Sequence, residues 1–163
     1  MKLEGSCHCG SVRIRVTTHT PYPYMRCYCS ICRKTAGGGG YAINIMGDAA
    51  SLKVRGMPSV GIYRAWLRDA TSGRRKRSPA RRHFCVKCAS ALWLADPQWP
   101  EWVYPFASAI DTPLPSSPGG VEMMLDYAVG WADVPQGRDH THFGQYPAES
   151  IIDWHRRRGL AVD

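Results

Sequence analysis

Seven cysteines are the residues of this chain whose spacing points to chemistry, and they fall in three clusters: Cys7-x-Cys9, Cys27-x-Cys29-x-x-Cys32 and Cys85-x-x-Cys88. In an extended segment, residues two apart share a face, so the sulfurs of a C-x-C converge on one ion. A C-x-x-C in a tight turn does the same. Tetrahedral zinc in a structural role takes four thiolates at ~2.3 Å, and one C-x-C plus one C-x-x-C supplies four. Seven sulfurs cannot fill two closed sites, so the count predicts one closed site and three left over. The middle cluster alone carries three. The reading is therefore Cys7, Cys9, Cys85 and Cys88 around a structural ion, joining segments 76 residues apart, and Cys27, Cys29 and Cys32 around a second. Three protein donors plus an exchangeable one is the arrangement of a catalytic zinc. Two alternatives stand beside it: some of these thiols are simply buried, or His8 or His83 completes the second site and makes it structural.

The elements that must position these sulfurs read as short strands broken by many turns, as expected with 12 prolines and 16 glycines in the chain. Val12–Val16 alternates apolar and basic with period two, as a half-buried strand does. Further strands are expected at Tyr41–Met46, Ser51–Arg55, Gly61–Trp66, Ser90–Leu94, Val103–Ala107 and Val121–Leu125. One late helix is expected: Pro147-Ala148-Glu149 opens it, Ile151, Ile152 and Trp154 form its apolar side, and Arg156–Arg158 close it before Gly159. Thr71–Arg82, which contains RRKRSPARR, and the Pro/Ser-rich Thr112–Gly120 read as loops.

At 163 residues, the chain suits one domain, 1–163, with one sizeable core. A hydrophobic content of 44% excludes disorder as the default. No apolar run reaches the ~18–20 residues a bilayer span needs. The opening MKLEGSCHCG lacks the apolar stretch of an export signal. The expected compartment is therefore a reducing cytoplasm, where cysteines serve more often as ligands than as disulfides. The net charge of +8 is uneven: residues 1–92 hold 17 Lys/Arg against 3 Asp/Glu, and residues 93–163 hold 4 against 10.

The motifs Gly5-Ser6-Cys7-His8-Cys9-Gly10-Ser11-Val12, Cys27-Tyr28-Cys29-Ser30-Ile31-Cys32-Arg33-Lys34 and Arg82-His83-Phe84-Cys85-Val86-Lys87-Cys88, with Ala91-Leu92 after the last, resemble the glutathione-dependent formaldehyde-activating enzyme family. That family also contains centromere protein V. The resemblance runs through residues 3–135 and implies a mainly β, zinc-stapled fold of the β-tent type, here with a short C-terminal helix. It also implies addition of glutathione's thiol to formaldehyde, giving S-hydroxymethylglutathione. One departure is Ala89, where the family usually has glycine; if that position needs positive φ, alanine carries a cost.

An ion held by three thiolates suits capture of a soft thiol better than formation of hydroxide. Taken with the resemblance, which supplies the aldehyde, this implies a carbon–sulfur lyase or synthase joining a small thiol to a small aldehyde. Arg26, Arg33 and Lys34 flank the middle cluster and are candidates to hold the thiol substrate's carboxylates. The rival is a binding module in which Arg74–Arg77 and Arg81-Arg82 contact nucleic acid or protein. Against nucleic acid, no aromatic residues interleave with that run in sequence, and the acidic half of the chain is available to neutralise it. A thiol redox enzyme is disfavoured because no cysteine lies outside the clusters. His140-x-His142 is expected at the surface, Asp111, Asp126 and Asp133 are candidates for polar anchoring only, and the tryptophans and tyrosines are expected in the core or pocket walls.

Overall fold

The computed structural model describes residues 1–69 and 71–163. In chain order the strands are β1 (Lys2–Ser6), β2 (Arg13–Thr17), β3 (Met25–Cys27), β4 (Ala42–Ile43), β5 (Gly47–Asp48), β6 (Lys53–Arg55) and β7 (Val60–Tyr63). They continue as β8 (Trp66–Arg68), β9 (Arg75–Arg77), β10 (Arg81–Cys85), β11 (Ala91–Ala95), β12 (Trp102–Pro105), β13 (Gly120–Met123) and β14 (His140–His142). The helices are α1 (Ser30–Ala36) and α2 (Ile151–Arg157). The architecture is mainly β, with a short helix near the C-terminus, as the motifs implied.

The strands form sheets ordered β1-β2-β6, β5-β12-β11-β10-β7 and β14-β13-β3-β4, with β8 and β9 pairing as a separate two-stranded ribbon. The first two sheets enclose one core. Leu3 from β1 with Ile14 and Val16 from β2 meets Leu92 and Trp93 from β11 and Val103 from β12. The third sheet forms a second core, where Cys27, Val121 and Met123 pack with Tyr24, Phe106 and Trp154. Two clusters thus stand where composition suggested one. Each holds part of one cysteine group: Cys7 and Cys85 lie in the first, Cys27 and Cys32 in the second.

Sequence periodicity found most strands and missed some of their extents. The Val12–Val16 pattern appears as β2, with the alternating burial expected of it. The segment Tyr41–Met46 yields only the two residues of β4, because beyond Ile43 its pairing breaks up into isolated bridges, Asn44 to Phe106 and Met46 to Thr20. The RRKRSPARR stretch is not a loop. It contains β9, antiparallel to β8 with Trp66 opposite Arg77, and it runs into β10.

The late helix is present but starts at Ile151, with the Ser150 side chain accepting from the Asp153 N–H at 3.2 Å. Its buried residues are Trp154 and His155; Ile151 and Ile152 are half-buried. Trp154 stacks on Tyr24 at 3.7 Å between ring centroids. Among the described residues no helix is long and apolar enough to cross a membrane.

Candidate metal centre

The first cysteine group is built by two turns. Cys7 leaves β1, and Gly10, at φ +72°, lets the chain reverse so that the Gly10 N–H reaches the Cys7 carbonyl at 2.9 Å. Cys85 ends β10, and the following turn is closed by the Ala89 N–H on the Cys85 carbonyl at 2.8 Å. Ala89 has φ +59°, so the position does require the left-handed region that glycine favours.

Sulfurs of Cys7, Cys9, Cys85 and Cys88 all lie within 4.8 Å of one another. Cys7 to Cys9 is 3.5 Å and Cys9 to Cys85 is 3.8 Å. Four sulfurs at ~2.3 Å from one tetrahedral ion stand ~3.8 Å apart, so the donor set and its spacing fit zinc. The Val12 N–H points at the Cys7 sulfur at 3.2 Å, while Ser90 Oγ stands 3.2 Å from that of Cys88. Bonds from Ser90 pull Cys88 down to about 5, and burial pushes Cys85 up to about 11.

The second group sits at a strand end and a helix start. Cys27 closes β3, Cys29 is the N-cap of α1, and Cys32 is in the first turn, its N–H donating to the Cys29 sulfur at 3.3 Å. The three sulfurs lie within 4.8 Å of one another, and among the described residues no histidine or carboxylate joins them. His8 and His83 are elsewhere: the His8 N–H donates to Ser90 Oγ, and the His83 ring stacks on Trp93 at 4.3 Å. Cys27 and Cys32 are buried and Cys29 is half-buried. Bonds from Cys27 and Cys32, then the amides of Cys32 and Ile31, hold Cys29 far below the usual thiol range. Those with Cys29 and Cys32, and burial, push Cys27 up.

Sequence missed α1, because its first turn has no acidic residue and its cap is a cysteine instead of the usual Ser, Thr, Asp or Asn. The flanking cations also have distinct positions. Adjacent residues on a strand face opposite ways, so Arg26 turns away from Cys27. Its Nη1 donates to Glu122 at 2.9 Å, and its guanidinium lies 5.2 Å from the Tyr41 ring centre. Glu122 is fully buried and also receives the Tyr28 hydroxyl at 3.1 Å and meets His140 Nδ1 at 2.9 Å. His140 is therefore half-buried on β14, not simply at the surface, while His142 is exposed. Arg33 is half-buried on α1 with its Nε unpartnered, and Lys34 is exposed.

Arg82 is the residue that the spacing did not single out. On β10 it alternates with exposed Arg81 and is only 8% exposed, yet its Nε and Nη1 have no hydrogen-bond partner. Its charge acts on Cys32, favouring the thiolate; the bond from Cys27 acts the same way, but the bond with Cys29 and burial prevail and leave Cys32 at about 11. A buried guanidinium with free donors costs several kcal/mol unless an anion meets it. At the exposed rim, the Tyr146 phenol is raised by desolvation and then by the charges of Cys27, Cys29 and Cys32.

Comparison with known proteins agrees with this geometry. Residues 2–119, which include all seven cysteines, match the family described as glutathione-dependent formaldehyde-activating enzyme. The chain belongs to that family. A Halomonas elongata protein named, provisionally, as a glutathione-dependent formaldehyde-activating enzyme is 55% identical over 160 residues, covering 98% of each chain. A crystal structure of a Rhodobacter sphaeroides protein is similar at 27% identity and a TM-score of 0.51, covering 71% of this chain and 92% of that one. Within the formaldehyde-activating family, then, this member has two cysteine groups able to hold metal, and they divide four and three.

Proposed function

We propose that this protein adds glutathione, or a similar small thiol, to formaldehyde or another small aldehyde at the three-cysteine group, acting as a carbon–sulfur lyase in the synthetic direction. The observation that carries the reading is the contrast within one molecule between a four-sulfur group and a three-sulfur group that, among the described residues, no histidine or carboxylate joins. In this reading each chain holds two zinc ions. Zinc bound by Cys27, Cys29 and Cys32 supplies a position for a soft thiol sulfur and lowers that thiol's pKa.

The chain's own residues do the rest. Arg82, with free donors beside Cys32, takes a carboxylate of the thiol substrate, assisted by Arg33 and Lys34 on α1; Arg26 is held by Glu122 and supports the site from the far face of β3. Holding thiol and aldehyde together removes much of the entropic cost of a bimolecular step. The thiol's S–H bond breaks, a C–S bond forms, and the carbonyl oxygen takes up the proton.

The test is formaldehyde–glutathione exchange followed by NMR line-broadening with metal-loaded protein. Acceleration over buffer is expected, and its loss in Cys29→Ser. No acceleration by a wild type shown to contain both metals would overturn the reading.

A further inference from the structure

The β8–β9 ribbon stands apart from both cysteine groups and has no part in the proposed chemistry. Its base is fixed: Ala65 and Ser78 are buried, the Ser78 N–H donates to the Ala65 carbonyl at 2.8 Å, and Arg64 Nε donates to the Ser78 carbonyl at 2.8 Å. Beyond that base every residue of both strands is exposed. Strand alternation and the pairing of Trp66 with Arg77 and Arg68 with Arg75 put Trp66, Arg68, Arg75 and Arg77 on one face. There the Trp66 ring, 49% exposed, lies 4.9 Å from the Arg75 guanidinium and 4.7 Å from that of Arg77. The aromatic residue that is absent from the basic run in sequence is thus supplied by the partner strand.

The acidic half of the chain does not neutralise this face. Among the described residues the ion pairs are Arg15–Glu4, Arg26–Glu122, His140–Glu122 and Arg157–Glu149, none of them on the ribbon. The nearest carboxylate in sequence, Asp69, accepts from the Thr71 and Ser72 N–H groups at 3.1 and 2.6 Å within the connecting turn. Two guanidiniums gathered around one indole, with Arg68 on the same strand face, repel one another, which calls for an external anion. Residues two apart on a strand are about 6.6 Å apart, close to the separation of neighbouring phosphates along one nucleic acid strand. A membrane would favour a larger apolar patch, and Leu67 faces the other way beside Lys76. An acidic peptide would use the charges and leave the indole idle.

We propose that the Trp66–Arg68–Arg75–Arg77 face binds single-stranded nucleic acid, the guanidiniums taking successive phosphates and the indole stacking on a base. This does not depend on the thiol–aldehyde chemistry. The experiment is fluorescence anisotropy of labelled single-stranded DNA, the same sequence as RNA, and the DNA duplex, titrated with the full metal-loaded chain between 50 and 300 mM salt. Single strands should bind more tightly than the duplex, with log affinity falling against log salt at a slope of about −2 for three phosphates.

Arg75→Ala with Arg77→Ala should flatten that slope to about −0.7, the value for one remaining phosphate. Trp66→Ala should weaken binding about 5- to 100-fold at an unchanged slope, because stacking releases no counterions, and Trp66→Phe should retain most of the affinity. DNA and RNA arms that agree assign the phosphate and base as the recognised groups; a large preference for RNA adds the ribose hydroxyl. The proposal is overturned by no binding at 50 mM salt, by equal affinity for duplex and single strands, or by polyglutamate competing as well as the oligonucleotide. It is also overturned if Trp66→Ala, with its melting temperature and metal content unchanged, binds like wild type.

Discussion

Ala89 and Arg82 show what individual residues do beside the two cysteine groups. Ala89 follows the last cysteine at φ +59°, in a region that costs an L-residue about 1–2 kcal/mol and glycine nothing sterically. Glycine in turn loses about 0.5–1 kcal/mol to unfolded-state entropy. Ala89→Gly is therefore expected to stabilise the fold by about 0.5–1 kcal/mol, read as a raised denaturation midpoint at unchanged metal content. Arg82 belongs to the substrate in the proposed reaction. Arg82→Gln should raise KM for glutathione about 10- to 100-fold, the worth of a charged hydrogen bond, with a smaller effect on kcat. It should leave a thiol without carboxylates, such as 2-mercaptoethanol, unaffected, and Arg82→Lys should recover part of the loss. An equal decline for both thiols would instead make Arg82 a counter-charge to the sulfurs.

At the level of elements, α2 is fastened to the second core through a neutral histidine. His155 is fully buried, with Nδ1 2.8 Å from the Ile151 carbonyl and Nε2 accepting the Tyr22 N–H at 3.3 Å. Both ring nitrogens are thereby assigned: Nδ1 carries the proton and Nε2 does not. Burial lowers its pKa, the bond to Ile151 opposes this, and Arg158 adds to the lowering. The unfolded chain takes up a proton near pH ~6.5 that the folded chain resists. Stability is thus complete above that pH and declines as pH falls toward the lowered folded value. In an NMR titration the His155 ring should show a midpoint below 6.5; an ordinary or raised midpoint would sink the neutral assignment.

At the scale of the whole molecule, the two cysteine groups join different parts of the chain. Cys7, Cys9, Cys85 and Cys88 link β1 to β10 across 76 residues, joining two sheets over the first core. Cys27, Cys29 and Cys32 lie within one β3–α1 segment and join nothing distant. Structural zinc contributes on the order of 10 kcal/mol to a small domain. Cys7→Ser and Cys88→Ser are therefore expected to abolish folding. Cys27→Ser puts a hydroxyl into the second core at about 1–3 kcal/mol, and should leave a folded protein with one metal ion fewer. Circular dichroism with elemental analysis distinguishes the two sets, and equal damage from both would refute the division. A chelator should likewise remove one ion with the fold retained before it removes the second and unfolds the chain.

The sequence by itself determined what is local or countable. Sulfur spacing and an odd total gave the four-and-three division, period-two alternation gave β2, and acid-first, base-last order with Gly159 gave α2. The family's motifs were legible for the same reason, since ligand spacing is written in the chain. Tertiary structure decided whatever depends on partners far away. The second core forms where β13 pairs with β3 (Val121 opposite Met25) and with β14 (Gly120 opposite His140), contacts 96 and 20 residues apart that no local period encodes. Arg82 differs from Arg81 only by which face of β10 it occupies, and Trp66 joins the basic run only across a hairpin. Identity and spacing specify which groups are available; pairing register specifies which of them meet.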